Sequence, residues 1–330
     1  MSDLTAGQPL PGPMVVAVTE VDWDPGISRR AEVELIDTVG NSLRLIDYEG
    51  AELSVDWQPN HRYRISHCNV NEGSRGVELA PSKRTVVEPL GACTDSTRIL
   101  LVGDTHLGRR KHPKTGAEID PLNAFAAAIQ YGVNRDVAAV VHVGDIFHDS
   151  ATPSQAILAR QEVFDPLREA GIPFYYVKGN HGFEDGDRLL DELEGVVNLD
   201  TDGVTVGDDV RVFGVNHYPG GEIPWEALTF PSSVVEQVSI LVLHQTLEQL
   251  TGVGNGCVDV GRIQQQFNGR FDLIVSGHHH DAIVQNWNGV PIMYTGAAER
   301  MSTNKDPTDR IVWLLAVNHG KLSYEQYQIP

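Results

Sequence analysis

The sequence predicts two folded parts, a small all-β domain followed by a layered α/β domain. Up to about residue 88, short runs of alternating apolar and polar residues are separated by turn residues, which is typical of strands. From about residue 98, apolar runs that suit buried strands alternate with segments of helical periodicity. We therefore expect a disordered N-terminus at residues 1–13, the β domain at 14–90, a linker at 91–97 and the α/β domain at 98–330.

The first domain is predicted to be a small β-barrel. A run at residues 14–22 is rich in valine, and Val39-Gly40-Asn41 supplies the turn of a hairpin between two alternating segments. Further strands are predicted at 62–70, 76–79 and 85–87. About five short strands fit a Greek-key barrel, and their order resembles an OB-fold of the kind found in single-strand-binding replication proteins. The alternative is an unspecific β-barrel interaction domain.

Four aromatic residues of this domain are candidates for stacking on nucleic-acid bases, Trp23, Tyr48, Trp57 and Tyr63. Tyr63 alternates with Arg62 and Arg64, a pattern that favours a core position. We therefore assign no nucleic-acid-binding residue from the sequence.

The second domain begins with an apolar strand at 99–102 that ends in Gly103 and Asp104. Asp120 and Pro121 form an N-cap and first-turn pair for a helix that carries Leu122, Phe125 and Ile129 on one face. A second helix is predicted after Thr152-Pro153, with a kink at Pro166. Strands are predicted at 137–143, 172–177, 271–276, 282–287, 292–295, 310–316 and 322–328.

Composition and charge restrict the environment. The N-terminus lacks the regions of a signal peptide, and no run approaches the roughly 18 apolar residues of a membrane span. Cys68, Cys93 and Cys257 form no C-x-x-C pair, so neither a zinc ribbon nor a disulfide framework is supported, and we expect reduced, buried thiols. We expect a cytoplasmic protein with no membrane partner.

The acidic balance predicts a high-salt environment. The net charge is −20, aspartate outnumbers glutamate 25 to 20, and only 6 of the 25 cationic side chains are lysine. This composition is typical of halophilic proteins, and at about 1 M salt the Debye length is only ~3 Å. Acidity is therefore weak evidence against a nucleic-acid partner there, whereas in ordinary salt it would be strong evidence. A plain acidic, solvated surface is the alternative.

Five short signatures follow predicted strands of the second domain, and they hold 7 of the 13 histidines. They are Gly103-Asp104-Thr105-His106, Gly144-Asp145-Ile146-Phe147-His148, Gly179-Asn180-His181, Leu243-His244-Gln245 and Gly277-His278-His279-His280. Because ligands gather at the carboxyl ends of strands in an α/β sheet, we expect these signatures to converge. A glycine precedes four of them, which suggests a sharp backbone turn at each.

Carboxylates, imidazoles and an amide oxygen form a ligand set suited to Mn²⁺, with Fe²⁺ or Zn²⁺ as alternatives. No thiolate lies in the signatures, which disfavours a structural zinc site. A carboxylate shared between two cations is the arrangement expected of a two-metal hydrolase. His142 and His217 lie outside the signatures and are expected to be non-ligating, and His279 is expected to point away from the metals.

In this order, the signatures resemble those of the calcineurin-like metallophosphoesterases over roughly residues 97–330. The resemblance implies a four-layer α/β/β/α sandwich with two bound divalent cations. One would be held by Asp104, His106, Asp145 and His280. The other would be held by Asp145, Asn180, His244 and His278, with Asp145 bridging.

The resemblance also implies that His181 protonates the leaving group or stabilises the pentavalent phosphorus. Many family members carry an acid directly after this histidine, whereas this chain has Gly182. We expect Glu184 or Asp185 to orient His181 instead.

Finer motif details resemble the DNA-repair exonucleases of the SbcD type. These are residues 104–108, 144–148 and 244–245, with a looser match at Gly296 to Arg300, and His148 matches a histidine that contacts the scissile phosphate. About 90 residues precede the first motif, and 50 residues follow His280 in place of a DNA-capping domain and a helical ATPase-docking segment. An ABC-type ATPase partner is therefore not expected. Instead, the OB-like domain is expected to present single-stranded or end-containing DNA, as in phosphoesterases associated with single-strand-binding protein systems.

The leading hypothesis is a Mn²⁺-dependent nuclease of DNA repair or replication that uses a metal-bridging hydroxide. The alternatives are a phosphatase or small-molecule (cyclic nucleotide) phosphodiesterase, and a module that recruits other proteins with incidental phosphoesterase activity.

Overall fold

The computed structural model describes most of the chain and forms two compact units, whose boundary in sequence lies between Ser96 and Thr97. The described residues are 7–10, 12–23, 29–37, 42–51, 53, 55–59, 61–73, 76–92, 96–113, 115–207, 210–231, 238–252, 254, 256–267, 271–301, 310–318 and 320–330.

The first unit is a single sheet with the strand order β5-β6-β3-β2-β1-β4-β7. Its strands are β1 (Met14–Asp22), β2 (Arg29–Asp37), β3 (Ser42–Tyr48), β4 (His61–Ser66), β5 (Asn69–Gly73), β6 (Gly76–Ala80) and β7 (Val86–Ala92). The predicted hairpin is confirmed, because β2 pairs antiparallel with β3, although its turn at 39–41 lies outside the described residues. β4 pairs with β1 and β5 pairs with β6, and only two residues separate β4 from β5. The sheet therefore curls back on itself, which confirms the OB-like barrel.

A conformational break divides the strand predicted at 62–70. His67 has a φ of 53°, in the left-handed region, so the chain turns between β4 and β5. The barrel core closes around Trp57, Tyr63 and Ile65, which are at most 3% exposed. Trp57 and Tyr63 are thus core residues, whereas Trp23 and Tyr48 are 45% and 39% exposed.

Part of the N-terminus predicted to be disordered is ordered. Gly7 N and Leu10 N donate hydrogen bonds to the carbonyl oxygens of Val70 and Cys68, and Leu10 is buried. The prediction fails at residues 7–10 because these backbone groups pair with β5 and with Cys68 just before it. Residues 1–6 and 11 lie outside the described residues.

The second unit alternates strands and helices. Its strands are β8 (Thr97–Val102), β9 (Ala139–His142), β10 (Phe174–Tyr176), β11 (Val196–Asn198), β12 (Val204–Val206), β13 (Val210–Val215), β14 (Val238–Leu243), β15 (Thr246–Leu247), β16 (Cys257–Val258), β17 (Leu273–Ser276), β18 (Ala282–Trp287), β19 (Val290–Thr295), β20 (Ile311–Asn318) and β21 (Lys321–Gln328). Its helices are α1 (Pro121–Val133), α2 (Pro153–Ala159), α3 (Asp165–Glu169), α4 (Glu184–Glu192), α5 (Glu248–Thr251) and α6 (Val260–Gln266).

Two six-stranded sheets form the centre of this unit, with the orders β11-β10-β9-β8-β20-β21 and β12-β13-β14-β17-β19-β18. Apolar side chains of both sheets, including Leu101, Val141, Ile240 and Val275, pack together in one core. A second core joins the first sheet to α1–α4, and a third joins the outer face of the second sheet to α6. The predicted four-layer α/β/β/α sandwich is confirmed.

The second predicted helix contains a π-helical turn. α2 leads into a π turn at Arg160–Phe164 and then into α3, so the irregularity precedes Pro166. A π turn before proline accommodates its missing N–H. The N-cap of α1 is as predicted, because Asp120 Oδ1 accepts from Asn123 N at 3.2 Å. Among the described residues, no helix is long and apolar enough to cross a membrane.

Candidate metal centre

The five signatures meet at one edge of the sandwich. Strands β8, β9 and β10 run parallel in the first sheet, and β13, β14 and β17 run parallel in the second. The predicted ligands lie just past five of these strands, after β8, β9, β10, β14 and β17. Parallel strands present their carboxyl ends at the same edge, which brings together residues far apart in sequence.

One group of side chains comprises Asp104, His106 and His280. The Nε2 atoms of His106 and His280 are 3.1 Å apart, and His280 Nε2 is 3.7 Å from Asp104 Oδ1. His106 Nε2 also lies 3.6 Å from Asp145 Oδ2. Their potential ligand atoms thus point at a common space.

A second group shares Asp145 with the first. Asn180 Oδ1 lies 3.0 Å from His244 Nε2 and 2.7 Å from His278 Nδ1. His244 Nε2 is 3.4 Å from Asp145 Oδ2. Asp104 reaches this group as well, since ligand atoms of Asp104, Asp145 and His244 lie within 4.8 Å of one another. All seven predicted ligands therefore lie together.

Backbone carbonyl groups fix two of the imidazole rings. His244 Nδ1 donates to Val143 O at 2.7 Å, and His280 Nδ1 donates to Met301 O at 3.1 Å. Each ring therefore directs an Nε2 lone pair into the site. These carbonyl partners carry no side-chain signal, so a reading of residue types does not find them.

The donor set fits divalent cations. Lone pairs of His244 and His280 face other acceptor atoms, an arrangement that is repulsive unless a proton or a cation lies between them. Asp104 Oδ2 is buried without a hydrogen-bond partner in the described chain. Buried acceptors that converge in this way are expected of metal ligands, and imidazole with carboxylate suits several divalent cations.

The electrostatics of the centre favour an ionised Asp145. Burial alone would raise its pKa, but the hydrogen bond and charge of His244 outweigh burial, so the pKa lies well below its usual range. Burial lowers the pKa of His106 well below its ordinary value, which keeps that ring neutral. A neutral imidazole beside a carboxylate is the protonation state required for metal binding.

Backbone strain is concentrated at the site. Seven non-glycine residues of the described chain have a positive φ, and four of them are the proposed ligands Asp104, His106, Asp145 and His278. Such conformations cost about 1–3 kcal/mol each and persist only where the surrounding structure imposes them. These backbone conformations direct the four side chains toward the candidate metal centre.

The glycines of the signatures have two different roles. Gly144 has a φ of +102°, as a sharp turn requires, and a Cβ there would lie 2.3 Å from His244 Nδ1. Gly179 has no left-handed φ, but a Cβ there would lie 2.0 Å from Asp145 Oδ1. Gly103 and Gly277 likewise have no left-handed φ, and a Cβ at either would clash with its neighbours, so these glycines permit close packing.

His181 and His148 form one wall of the site. Their rings stack with centroids 5.3 Å apart, and the ring of His106 lies 5.2 Å from His181 and 5.8 Å from His148. His148 Nδ1 accepts from Ser150 N at 3.1 Å, which leaves Nε2 as the hydrogen donor. Burial, followed by the charge of Arg109, lowers the pKa of His148.

The acid expected beside His181 was wrongly assigned. Asp185 pairs with Arg188 at 2.7 Å, whereas Asp149 Oδ2 accepts from His181 Nδ1 at 2.8 Å. Asp149 Oδ1 also accepts from Gly182 N at 3.2 Å. Sequence reasoning missed Asp149 although it directly follows His148 in the second signature.

The other histidines take supporting positions. His142 is fully buried between Thr105 Oγ1 and Gly144 N, and burial lowers its pKa to about 3. His217 stacks on His278 and contacts the carbonyl oxygen of His244 at 2.8 Å, so it lies directly beside two of the proposed ligands. His279 stacks on Tyr294 with centroids 4.9 Å apart.

A buried glutamate supports the loop that orients His280. Glu299 Oε1 accepts from Arg300 N at 2.7 Å and Arg310 Nε at 3.0 Å, and Oε2 accepts from Asp120 N at 3.1 Å. These bonds connect the beginning of α1 to the segment that ends at Met301.

Comparison with protein families agrees with this geometry. The protein-family model described as calcineurin-like phosphoesterase matches residues 97–282, which is more than half of the chain.

Individual relatives share the same region. The DNA double-strand break repair protein Mre11 of Methanosarcina mazei is 29% identical over 222 residues, which cover 64% of this chain and 35% of that protein. The protein of that name in Haloferax volcanii is 29% identical over 216 residues, covering 64% of this chain and 48% of that protein. This chain thus spans about a third to a half of the length of these relatives. Among solved structures, the protein TT1561 of Thermus thermophilus is 15% identical, covers 71% of this chain and 100% of its own, and has a TM-score of 0.47.

Proposed function

The chain belongs to the calcineurin-like phosphoesterase family, and from this premise we propose that it is a two-metal-dependent phosphodiesterase that cleaves DNA. The single observation that carries the proposal is the convergence of one carboxylate, one amide and four imidazole side chains around Asp145.

We propose two cation sites that share Asp145. Asp104, His106 and His280 complete one set, and Asn180, His244 and His278 complete the other. Support for the bridging role comes from Asp145 Oδ2, which lies 3.6 Å from His106 and 3.4 Å from His244, one histidine of each set. When bound, two cations would supply a hydroxide nucleophile at neutral pH and would neutralise charge on the phosphate.

The chain's own residues would position and protonate the substrate. His181 lies next to the proposed ligands and is 33% exposed at its side chain, so its Nε2 can reach a leaving oxygen. His148, stacked on it, can donate from Nε2 to a non-bridging phosphate oxygen. The carbonyl groups of Val143 and Met301 keep His244 and His280 in one tautomer throughout.

DNA is the proposed substrate because the relatives are DNA double-strand break repair proteins and the motif details resemble the SbcD-type branch. The first unit supports single-stranded DNA, since Trp23 and Tyr48 are exposed on an OB-like barrel and Arg30 lies 5.9 Å from the Trp23 ring. We propose that the protein works in a high-salt cytoplasm, where the charge of −20 does not repel DNA over a useful distance. Mn²⁺ is the proposed metal, and Fe²⁺ or Zn²⁺ are the alternatives.

A parallel assay tests the proposal. End-labelled single- and double-stranded DNA, nitrophenyl phosphates and cyclic nucleotides are incubated with the purified protein, with Mn²⁺ or EDTA, in molar salt. We expect the wild-type protein to shorten DNA with Mn²⁺ but not with EDTA. The Asp145→Ala variant should leave DNA intact under both conditions. Asp185→Ala is the matched control, because it removes an acidic side chain that pairs with Arg188 outside the site.

Two results would contradict the proposal. Turnover of nitrophenyl phosphates or cyclic nucleotides with intact DNA would identify a phosphatase or small-molecule phosphodiesterase. DNA cleavage that survives Asp145→Ala would show that the activity does not arise at this centre.

A further inference from the structure

A cavity of about 230 Å³ adjoins the candidate metal centre on the side of helix α4. It shares Asp145, Asn180 and His181 with that centre, and its remaining walls come from the segments after β9 and β10 and from α4. A cavity of ~150 Å³ can hold a benzene ring, so this one has room for a larger flat ring system.

The inner walls of the cavity are apolar. Phe147, Tyr176 and Leu190 line it, and each is at most 2% exposed. Gly186 allows this packing, because a Cβ there would lie 2.7 Å from the Phe147 ring. Asp187 and Leu190 are three residues apart in α4, so they lie on the same face of the helix, and both line the cavity. Aromatic and aliphatic walls of this kind favour a flat ligand with apolar faces.

Two side chains of opposite charge also line the cavity. Lys178 is exposed and Asp187 is half-buried, and Lys178 N donates to Asn216 Oδ1 at 2.7 Å, which fixes the backbone there. Within the described residues, neither the Lys178 ammonium group nor the Asp187 carboxylate makes a hydrogen bond or an ion pair. Burial raises the pKa of Asp187, and the charge of Lys178 opposes that rise. The two groups are therefore near each other and available to a ligand.

Gly182 leaves the space in front of Asp187 open. A Cβ at position 182 would lie 3.8 and 4.0 Å from the two carboxylate oxygens of Asp187, so a longer side chain would extend into the cavity. The backbone at Gly182 has no left-handed φ, so its conformation does not require glycine. The consequence of glycine at this position is therefore access to the Asp187 carboxylate.

We propose that this cavity binds the nucleobase next to the scissile phosphate and prefers guanine, an inference that rests on the proposed function. The ring would lie against Phe147 and Tyr176, as a base does in a pocket that reads its Watson–Crick edge. Guanine offers two adjacent N–H donors, at N1 and N2, which the single carboxylate of Asp187 can accept together. Its O6 is an acceptor for the Lys178 ammonium group. Because the cavity and the metal centre share three residues, one nucleotide can place its phosphate in the centre and its base in the cavity.

The test uses 4-nitrophenyl esters of the 5′- and 3′-monophosphates of the four deoxynucleosides, with methyl 4-nitrophenyl phosphate as the ester without a base. Each substrate carries one base, and release of nitrophenol measures cleavage. In the series whose base reaches the cavity, we expect kcat/KM for the guanine ester to exceed that for each other base by about 5–100-fold. Asp187→Ala should abolish this preference. Asp185→Ala is the control on the same helix and should keep it, because Asp185 pairs with Arg188.

Filling the cavity supplies a second criterion. Gly182→Leu should lower kcat/KM for the nucleotide esters relative to the methyl ester, whereas an effect on the neighbouring His181 would lower both alike. Gly182→Ala adds only a Cβ in ordinary contact with Asp187, so it should keep the guanine preference. Equal rates on the four bases in both wild-type series, a preference that survives Asp187→Ala, or equal effects of Gly182→Leu on nucleotide and methyl esters would each overturn the inference.

Failure of the proposed function can be recognised separately. Calorimetry measures binding of the four deoxynucleosides, which carry no phosphate and undergo no cleavage, to the full chain. If wild type leaves DNA intact but binds deoxyguanosine more tightly than the other three, and Asp187→Ala loses that difference, the DNA proposal fails while the cavity assignment stands. Equal binding of the four deoxynucleosides, or binding of none, would contradict the assignment even if DNA is cleaved.

Discussion

The buried pair of Glu299 and Arg310 gives the sharpest prediction of stability. Glu299 is fully buried and accepts three hydrogen bonds, from Arg310 Nε, Arg300 N and Asp120 N. Glu299→Ala leaves all three donors without this acceptor. Removing one partner of a buried pair costs about 3–5 kcal/mol, and the lower end applies because Arg310 is 18% exposed.

A loss of about 3 kcal/mol corresponds to a fall in Tm of about 6–12 °C, at about 2–4 °C per kcal/mol for a domain of this size. Calorimetry at fixed molar salt measures the shift. Glu226→Ala is the matched control, because the side chain of Glu226 is 83% exposed and lies 3.5 Å from Arg262. An exposed ion pair contributes little to stability, so the Tm of Glu226→Ala should stay close to that of wild type. If Glu299→Ala lowers Tm no more than Glu226→Ala does, the reasoning about this buried pair is refuted.

Three further predictions concern the site and the barrel. Asp145→Ala should bind neither cation, because both ligand sets lose their shared carboxylate, and elemental analysis after gel filtration measures this; retention of either metal would contradict it. His181→Ala should keep both metals while turnover falls about 10²–10⁴-fold, as expected for loss of a general acid; loss of metal would assign it a ligand role instead. Burial raises the pKa of Cys68 from 9.0 to about 11, so the thiol should resist alkylation at pH 8 until the barrel unfolds. Because the pKa of Cys68 is raised in the folded state, the protonated thiol stabilises the fold fully below pH 9, and this contribution is lost as pH rises toward 11. The free energy of unfolding of Cys68→Ala should therefore fall less steeply with pH in that window than that of wild type. An equal fall in the two proteins would refute the prediction.

The regular parts of the fold were predictable because local patterns determine them. The valine-rich run of β1 and the capping pair Asp120-Pro121 are direct physical signals, and both elements occur where expected. The break at His67 and the π turn at Arg160–Phe164 depend on how neighbouring elements pack. No propensity in the sequence distinguishes these irregularities from a continuous strand or a kink at Pro166.

The candidate site also contains contacts that could be predicted from the sequence and contacts that could not. The side chains of Asp104, Asp145 and His244 follow buried strands, so their convergence could be inferred from residue type and topology. The partner of His181 could not, because Asp149 reaches it only through the path of a loop 32 residues away in sequence. Proximity to the motif histidine in sequence favoured Glu184 and Asp185, but Asp185 is held by Arg188 within α4.

The most direct test of the central claim is the anomalous scattering of protein crystals grown with Mn²⁺. The account predicts two peaks about 3.5–4 Å apart on either side of the Asp145 carboxylate, each next to the histidines of its own set. Both peaks should be absent from Asp145→Ala. A single peak in the wild-type protein, or two peaks that persist in Asp145→Ala, would contradict a centre built on one shared carboxylate.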